Sequence, residues 1–172
     1  WIKQPATKVV PMAPPRSAAS RAKEEGPPPL RSDARPEGLP GLGPQDQKRV
    51  DKANAIYLFI SEVAEYCQAH GILWIIENPE RSIMWLLPID QALLRHSSVF
   101  DVCYDACMHG GLRKKAQRLR TDVAALRSLG LRCDSSHDHA PWVSVHHGGR
   151  IFHTAEEAEY PHIFCARVAA GA

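Results

Sequence analysis

The sequence predicts an α/β fold, with a partial doubly wound sheet, flanking helices and a long Pro-rich N-terminal loop. Five consecutive apolar residues, 72–76, are rich in β-branched and aromatic types. Such a run is typical of a strand buried on both faces in the middle of a parallel sheet. The preceding segment 45–70 has apolar residues at the helical spacing of three and four, and Gly71 ends it. A helix that leads directly into a buried strand is half of an α/β unit.

Size and composition indicate one domain of ordinary size. The chain has 172 residues, and its 44% hydrophobic content is enough for a core. No apolar run approaches the roughly 18 to 20 residues that span a bilayer, and the first residues do not form a signal peptide. The five cysteines are odd in number and widely spread, which favours reduced thiols in an intracellular protein. Because the chain begins with Trp1 rather than Met, we expect a fragment.

The first 45 residues are predicted as a Pro-rich strand and loop that are partly disordered. They contain ten of the 14 prolines, which prevents long regular elements. A short strand at 8–12 is the exception, and a surface loop is expected from 16 to 44. Residues 46–172 are predicted to form the α/β domain.

Short elements are predicted after the buried strand from apolar spacing and turn residues. The predicted helices are at 82–87, capped by Ser82, at 89–96, at a segment that is capped by Thr121 or Asp122 and ends at 129, and at 161–170. The predicted strands are at 99–104 and 131–133, with an edge strand at 149–153. The basic segment 113–120 and the His-rich segment 134–149 are predicted as loops.

Polar residues follow the buried strand directly, as Glu77, Asn78 and Pro79. Ligands of open α/β sheets bind outside the carboxyl ends of the strands, so these residues are candidate site residues. Pro79 also biases Asn78 away from the helical region. The alternative, which the sequence leaves open, is a pair of strand-end polar residues that lead into a turn.

A basic cluster lies further along the chain, with five positive charges in eight residues: Arg113, Lys114, Lys115, Arg118 and Arg120. These side chains could contact phosphates, and the preceding pair Gly110 and Gly111 would let the backbone approach closely. A solvated basic loop is the alternative.

Cys133, His137 and His139 form a group that could hold zinc, with His146, His147 and Cys165 as further candidate ligands. Sulfur and imidazole are the ligand types that zinc prefers, although this spacing matches no common zinc module. The alternative is a polar loop whose histidines form local hydrogen bonds.

Three motifs together resemble the C-terminal part of the catalytic domain of cytosine-C5 DNA methyltransferases, particularly the divergent domains of retroelement-derived genes. The motifs are the strand that ends in Glu77-Asn78-Pro79, the Gly-then-basic segment 107–115 and the loop 14–20, and the resemblance covers roughly residues 8–168. It implies a methyltransferase-type sheet and catalytic roles for Glu77, Asn78 and Pro79. It also implies that Ser17, Ser20, Arg113, Lys114 and Lys115 contact the substrate.

The resemblance implies a mechanism in which a loop cysteine attacks C6 of a flipped-out cytosine while Glu77 binds the base edge. S-adenosylmethionine then supplies a methyl group to C5. Arg16 occupies the position of the nucleophile, however, and an arginine cannot serve as a thiolate. The Gly-rich loop that would cradle S-adenosylmethionine is also absent from the sequence.

We therefore expect a degenerate or truncated S-adenosylmethionine-dependent methyltransferase-like domain that is inactive as this chain. Its candidate partners are nucleic acid and the missing N-terminal half of the domain. Two other hypotheses remain open from the sequence. One is a non-catalytic nucleic-acid-binding module, and the other is a transferase that, like amino-methyltransferases, needs no covalent cysteine.

Overall fold

The computed structural model describes residues 7–15, 19, 28–146, 149–153 and 159–171. Arg16, Ser17, Ser20 and His147, which the sequence singled out, lie outside these ranges. The helices and strands are β1 (Val9–Met12), α1 (Pro44–Ala69), β2 (Leu73–Pro79), α2 (Pro88–Leu93), β3 (Phe100–Asp105), β4 (Ala116–Thr121), β5 (Val143–His146), β6 (Gly149–Phe152) and α3 (His162–Gly171). Short 3-10 helices span Ile83–Leu86, Ala106–His109 and Ala124–Leu129.

Four of the described strands form the main sheet, in the order β1-β2-β4-β3. β1 and β2 are parallel, whereas β4 is antiparallel to both of its neighbours. Hence β1, β2 and β3 all run in one direction and β4 runs against them. The prediction that β2 is an interior strand is confirmed, but the sheet is mixed rather than parallel throughout.

Apolar side chains pack on both faces of this sheet. Trp74 and Ile76 of β2 join a cluster with α1, α2 and the 3-10 helix Ile83–Leu86. Ile75 belongs to a second cluster with β3, β4, the 3-10 helix Ala124–Leu129 and α3. Successive residues of a strand point to opposite faces, so β2 supplies both clusters and is buried on both sides. The chain is thus an α/β protein with helices on both faces of a mixed sheet.

α1 confirms the helix predicted at 45–70. Pro44 begins it, which suits proline because the first helical N–H has no partner within the helix. Its buried face includes Tyr57, Ala64 and Cys67, at the predicted helical spacing. Gly71 follows with φ of +65°, a left-handed conformation that turns the chain into β2.

The described part of the N-terminal loop, residues 28–43, is packed against the start of α1. Arg31 is buried and donates hydrogen bonds to Asn54 Oδ1 at 2.7 Å and to the Val50 carbonyl oxygen at 3.2 Å. A Cβ atom on Gly38 would lie 2.8 Å from a Val50 methyl group. Residues 28–43 of the predicted loop are therefore ordered and pack on α1.

The prediction of a loop over residues 113–120 is wrong, because β4 begins at Ala116. Leu119 is the one large apolar residue of β4, so its sequence lacks the alternation by which strands are recognised. Arg120 takes an apolar position instead. It is fully buried, and its guanidinium carbon lies 5.1 Å from the centroid of the Trp85 ring.

Three further predictions differ from the structure. The helix predicted to end at 129 is the 3-10 helix Ala124–Leu129, but its N-cap is Val123 rather than Thr121 or Asp122. Thr121 Oγ1 donates to the Trp74 carbonyl oxygen and Asp122 Oδ1 accepts from the Trp74 N–H. Residues 131–133 form no strand. The segment predicted as a His-rich loop contains β5, which pairs with β6 in a separate hairpin, so β6 is not an edge of the main sheet.

The remaining predictions on the helices are close to the structure. Ser82 caps Ile83–Leu86 by accepting a hydrogen bond from the Met84 N–H, as predicted. Pro88 begins α2 rather than only separating two helices. α3 agrees with the predicted terminal helix within two residues. Among the described residues, no helix has both the length and the apolar character needed to cross a membrane.

Candidate functional site at the carboxyl edge of the sheet

The candidate site lies where β1, β2 and β3 end and β4 begins. Pro79, the last residue of β2, pairs with Gln117 of β4, and Asp105, the last residue of β3, pairs with Ala116. The Glu80 N–H donates to the Ala116 carbonyl oxygen at 3.1 Å. As expected from strand direction, the loop 106–115 therefore leaves the sheet at the same edge as Glu77. We call this the carboxyl edge.

Glu77 is held at this edge by a contact from a distant part of the chain. Its side chain is 5% exposed, and its Oε2 accepts a hydrogen bond of 2.7 Å from the Tyr160 hydroxyl. The Tyr160 ring stacks on Phe164 of α3, with centroids 5.6 Å apart. α3 thus fixes the orientation of the carboxylate through Tyr160.

Asn78 and Pro79 join β2 to its neighbouring loops. Asn78 is buried, and its Nδ2 donates to the Pro14 carbonyl oxygen at 3.1 Å, so it bridges the ends of β1 and β2. Its Oδ1 is buried and accepts no hydrogen bond within the described structure. The Pro79 carbonyl oxygen accepts from Trp85 Nε1 at 2.8 Å. Both residues are therefore structural links as well as strand-end residues.

Glu77 and Asn78 lie on opposite faces of the sheet. Glu77 shares its face with Ile75 and α3, whereas Asn78 shares its face with Ile76 and α1. A single ligand that contacts both side chains would have to reach around the end of β2. The residues predicted to be catalytic therefore do not share one face of the sheet, because Glu77 lies on the face that packs against α3 and Asn78 lies on the opposite face.

The basic cluster is divided between structural and surface positions. Arg113 is buried, its Nε donates to the Pro141 carbonyl oxygen at 2.8 Å, and its guanidinium lies over the Trp142 ring. Arg118 and Arg120 both bind Asp101 from within β4. The alternative of a solvated basic loop does not hold for these three arginines, because each is held by protein groups. Lys114 is exposed and Lys115 is half-buried, and both lie beside the carboxyl edge.

The glycine pair before the cluster is required by the turn itself. Gly110 has φ of +90° and ends the 3-10 helix Ala106–His109. A Cβ atom on Gly111 would lie 2.9 Å from the Ala106 carbonyl oxygen, closer than side chains tolerate. These two glycines therefore have a backbone reason to be present that needs no phosphate.

The three predicted metal ligands lie together, and a fourth joins them. Cys133 Sγ is 3.9 Å from His137 Nε2 and 3.4 Å from His139 Nε2. Cys107, on the 3-10 helix Ala106–His109, completes a group whose four ligand atoms all lie within 4.8 Å of one another. Cys165, the alternative ligand on α3, is exposed and lies outside this group. The side chains of His146 and His147 lie outside the described structure.

Hydrogen bonds and a left-handed turn shape this cluster. The Cys133 N–H donates to Asp105 Oδ2 at 2.9 Å, which ties the segment to the end of β3. Ser135 has φ of +62°, and its N–H points at Cys133 Sγ at 3.3 Å. Burial and the neighbouring Cys133 thiol raise the pKa of Cys107 to about 11. Without a cation, Cys107 is therefore a protonated thiol at neutral pH.

Sequence reasoning missed Tyr160 and Cys107. Tyr160 is distant from Glu77 in the chain, and no local pattern connects the two residues. Cys107 is separated from Cys133 by β4 and a 3-10 helix, so only the fold shows that they meet. Cys133 and the two nearby histidines make only three ligands, and this incomplete set was the signal in the sequence that a further ligand should be sought.

The proposed substrate residues Ser17 and Ser20 lie outside the described residues, together with Arg16. A scan against protein-family models, a search of curated proteins and a search of solved structures found no match to this chain.

Proposed function

We propose that this chain is the C-terminal part of a methyltransferase-like domain that binds single-stranded nucleic acid at the carboxyl edge and recognises a cytosine through Glu77. The observation that carries the proposal is the buried Glu77 carboxylate at the end of an interior strand, oriented by the Tyr160 hydroxyl. The Tyr160 hydrogen bond offsets part of the cost of burying the carboxylate, and the end of an interior strand is where ligands of open α/β sheets bind.

Glu77 is chemically suited to the edge of a cytosine. A carboxylate oxygen accepts a hydrogen bond from the exocyclic amine of cytosine, whereas uracil offers a carbonyl oxygen at that position. The hydrogen bond from the Tyr160 hydroxyl to Oε2 limits rotation of the carboxylate at the carboxyl edge. The base must be unstacked before it can reach this edge, which favours single-stranded substrates.

Lys114 and Lys115 supply the electrostatic attraction in this proposal. They follow the loop that leaves the carboxyl edge, and nucleic-acid affinity depends mainly on phosphate contacts of this kind. Trp142 packs against the guanidinium of Arg113, the residue before Lys114. Its ring is partly exposed, and an exposed aromatic ring beside lysines is a stacking surface for bases.

Methyl transfer is not included in the proposed activity of this chain. Among the described strands β1 is at the edge of the sheet, and Ala13-Pro14-Pro15 rather than a Gly-rich turn follows it. A doubly wound cofactor site needs strands on both sides of its crevice, so these residues do not fit S-adenosylmethionine. In the resemblance Arg16 takes the position of the nucleophile, and an arginine cannot supply the thiolate that the covalent route needs.

The proposal is tested by fluorescence anisotropy of labelled single-stranded DNA and RNA at low salt. Lys114→Ala with Lys115→Ala should weaken binding for all sequences alike and reduce the salt slope by roughly 0.7 for each phosphate that a lysine no longer neutralises. The matched control is Arg95→Ala with Arg127→Ala, which removes two exposed positive charges near the amino end of β3 and beyond the far end of β4.

The lysine pair and the control pair should differ clearly if the carboxyl edge is the binding surface. Equal losses of affinity in the two double variants would show that only net charge matters. No binding by the unmodified chain at low salt would contradict the proposal outright, since the electrostatic attraction is strongest there.

A further inference from the structure

We propose that Cys107, Cys133, His137 and His139 form a structural zinc site that fixes the loop 106–115 to the segment 131–142. Two thiolates and two imidazoles are the ligand set of many structural zinc centres. The zinc site is a separate property from nucleobase recognition, because it concerns how the loop that carries the lysines is held in place.

The distances from Cys133 Sγ to the two histidine nitrogens are close to those of a zinc tetrahedron. Zinc–sulfur bonds of about 2.3 Å and zinc–nitrogen bonds of about 2.0 Å place sulfur and nitrogen roughly 3.5 Å apart in a tetrahedron. The two sulfur–nitrogen distances from Cys133 are 3.4 Å and 3.9 Å, on either side of this value. A shift of a few tenths of an ångström would bring both histidines into coordination.

The segment 131–142 needs such a connection because it has no helix or strand of its own. Most of its residues are exposed, so burial of apolar surface contributes little to its order. Its backbone hydrogen bonds to residues 105–113 lie at its two ends, where Asp105 binds Leu131 and Cys133 and where Leu112 and Arg113 bind residues 140 and 141. The exposed side chain of Arg132 adds an ion pair with Glu80 near one of these ends. Three of the four ligands lie at or between these ends, and the fourth, Cys107, lies on the loop 106–115.

Groups around the ligands support coordination by a thiolate. The Ser135 N–H at 3.3 Å from Cys133 Sγ is a donor to sulfur, which stabilises negative charge on that atom. It is brought there by the left-handed conformation of Ser135, which is uncommon for a residue other than glycine. The Asp105 carboxylate anchors the backbone of Cys133 and holds the ligand in place.

Zinc fits this ligand set better than the common alternatives. Magnesium and calcium take oxygen ligands, and none of the four ligands offers an oxygen atom. Two cysteines and two histidines in a tetrahedron are typical of zinc. The competing explanation is a disulfide between Cys107 and Cys133, which the experiment separates from zinc.

The test is metal analysis of the full chain, expressed with zinc in the medium and purified under reducing conditions. We expect about one equivalent of zinc, falling at least tenfold in Cys133→Ser. The matched control is Cys165→Ser, which removes an exposed thiol outside the cluster and should leave the zinc content unchanged. After chelation, cobalt should restore one equivalent with a thiolate-to-cobalt charge-transfer band.

His139→Cys tests the site without removing a ligand. It should keep one equivalent of metal and strengthen the cobalt charge-transfer band by about half, because three thiolates replace two. This variant decides the question if Cys133→Ser fails to fold. The proposal is overturned if the unmodified chain contains no zinc, if it contains a Cys107–Cys133 disulfide instead, if Cys133→Ser keeps its zinc or if His139→Cys loses it.

Discussion

Asp90 is a buried carboxyl group in the first turn of α2. It is 1% exposed, and the Ser61 hydroxyl lies 3.5 Å from its Oδ1. Its Oδ2 has no hydrogen-bond partner among the described residues. Burial raises the pKa of Asp90 to about 7, against the opposing influence of Arg120 and Ser61. The folded protein therefore binds a proton here that the unfolded chain releases near pH 4.

Asp90→Asn should consequently change how stability depends on pH. Because the pKa of Asp90 is higher in the folded state, its stabilising contribution is complete below about pH 4 and is lost as the pH rises through about 7. Relative to the variant, the unmodified chain should lose up to about 4 kcal/mol of unfolding free energy between pH 4 and pH 8. Urea denaturation at several pH values measures this difference.

The control for this prediction is Asp51→Asn, which neutralises an exposed carboxylate on α1. It should leave the pH dependence of the unmodified chain in place. If the unfolding free energies of the unmodified chain and of Asp90→Asn changed in parallel from pH 4 to pH 8, the raised pKa of Asp90 would be refuted.

At the scale of the element, β4 is stabilised by arginines where a strand usually has apolar residues. Arg120 donates two hydrogen bonds to the Asp101 carboxylate, at 2.8 Å and 2.9 Å, and one to the Asp90 carbonyl oxygen at 2.6 Å. Arg118 reaches the same carboxylate at 3.3 Å. Both guanidinium groups lie over the Trp85 ring. β4 thus joins β3 and α2 through charge and stacking.

Arg120→Ala should therefore destabilise the fold strongly. It removes a buried charge and leaves Asp101 with fewer partners, a change that costs about 3–5 kcal/mol in other buried pairs. Arg127→Ala is the comparison, because Arg127 is exposed and stacks on Phe100 at the surface, a contact worth about 0.5–1 kcal/mol. Urea denaturation at neutral pH compares the two. Similar losses of stability in both variants would show that the buried network stabilises the fold no more than a surface contact does.

The same elements show which parts of the fold the sequence could predict. α1 and β2 were predictable because their burial depends on apolar residues at regular spacing. β4 was not, since the stems and stacked guanidinium groups of Arg118 and Arg120 replace apolar side chains. The position of Glu77 followed from the strand end, but Tyr160 and Cys107 come from distant segments. No local rule relates such residues, and only the packing of α3 and the loop 106–115 brings them to the site.

At the scale of the whole molecule, helices cover both faces of one mixed sheet. The loops after β1, β2 and β3 meet at the carboxyl edge of this sheet. This edge carries Glu77, the lysine pair and the Cys/His cluster. Its described loops offer hydrogen-bonding and basic groups, but no turn that could cradle a dinucleotide-like cofactor.

The chain should therefore not bind S-adenosylmethionine. A cofactor crevice at a switch point needs strands on both of its sides, and β1 is the edge strand of the described sheet. Isothermal titration calorimetry with the reduced, metal-replete chain should give no saturable heat. Saturable binding at micromolar concentration would contradict this view of the cofactor site.

Discrimination between cytosine and uracil tests the central claim most directly. Single-stranded oligonucleotides that differ only by one such base should be compared by fluorescence anisotropy, with the unmodified chain, with Glu77→Gln and with Glu62→Gln as an exposed control. We predict that the unmodified chain and Glu62→Gln prefer cytosine by about tenfold, within the range of one specific base contact. Glu77→Gln should bind both oligonucleotides with similar affinity. Equal affinity of the unmodified chain for cytosine and uracil, or an unchanged preference in Glu77→Gln, would contradict the assignment of Glu77 as the base-recognising residue.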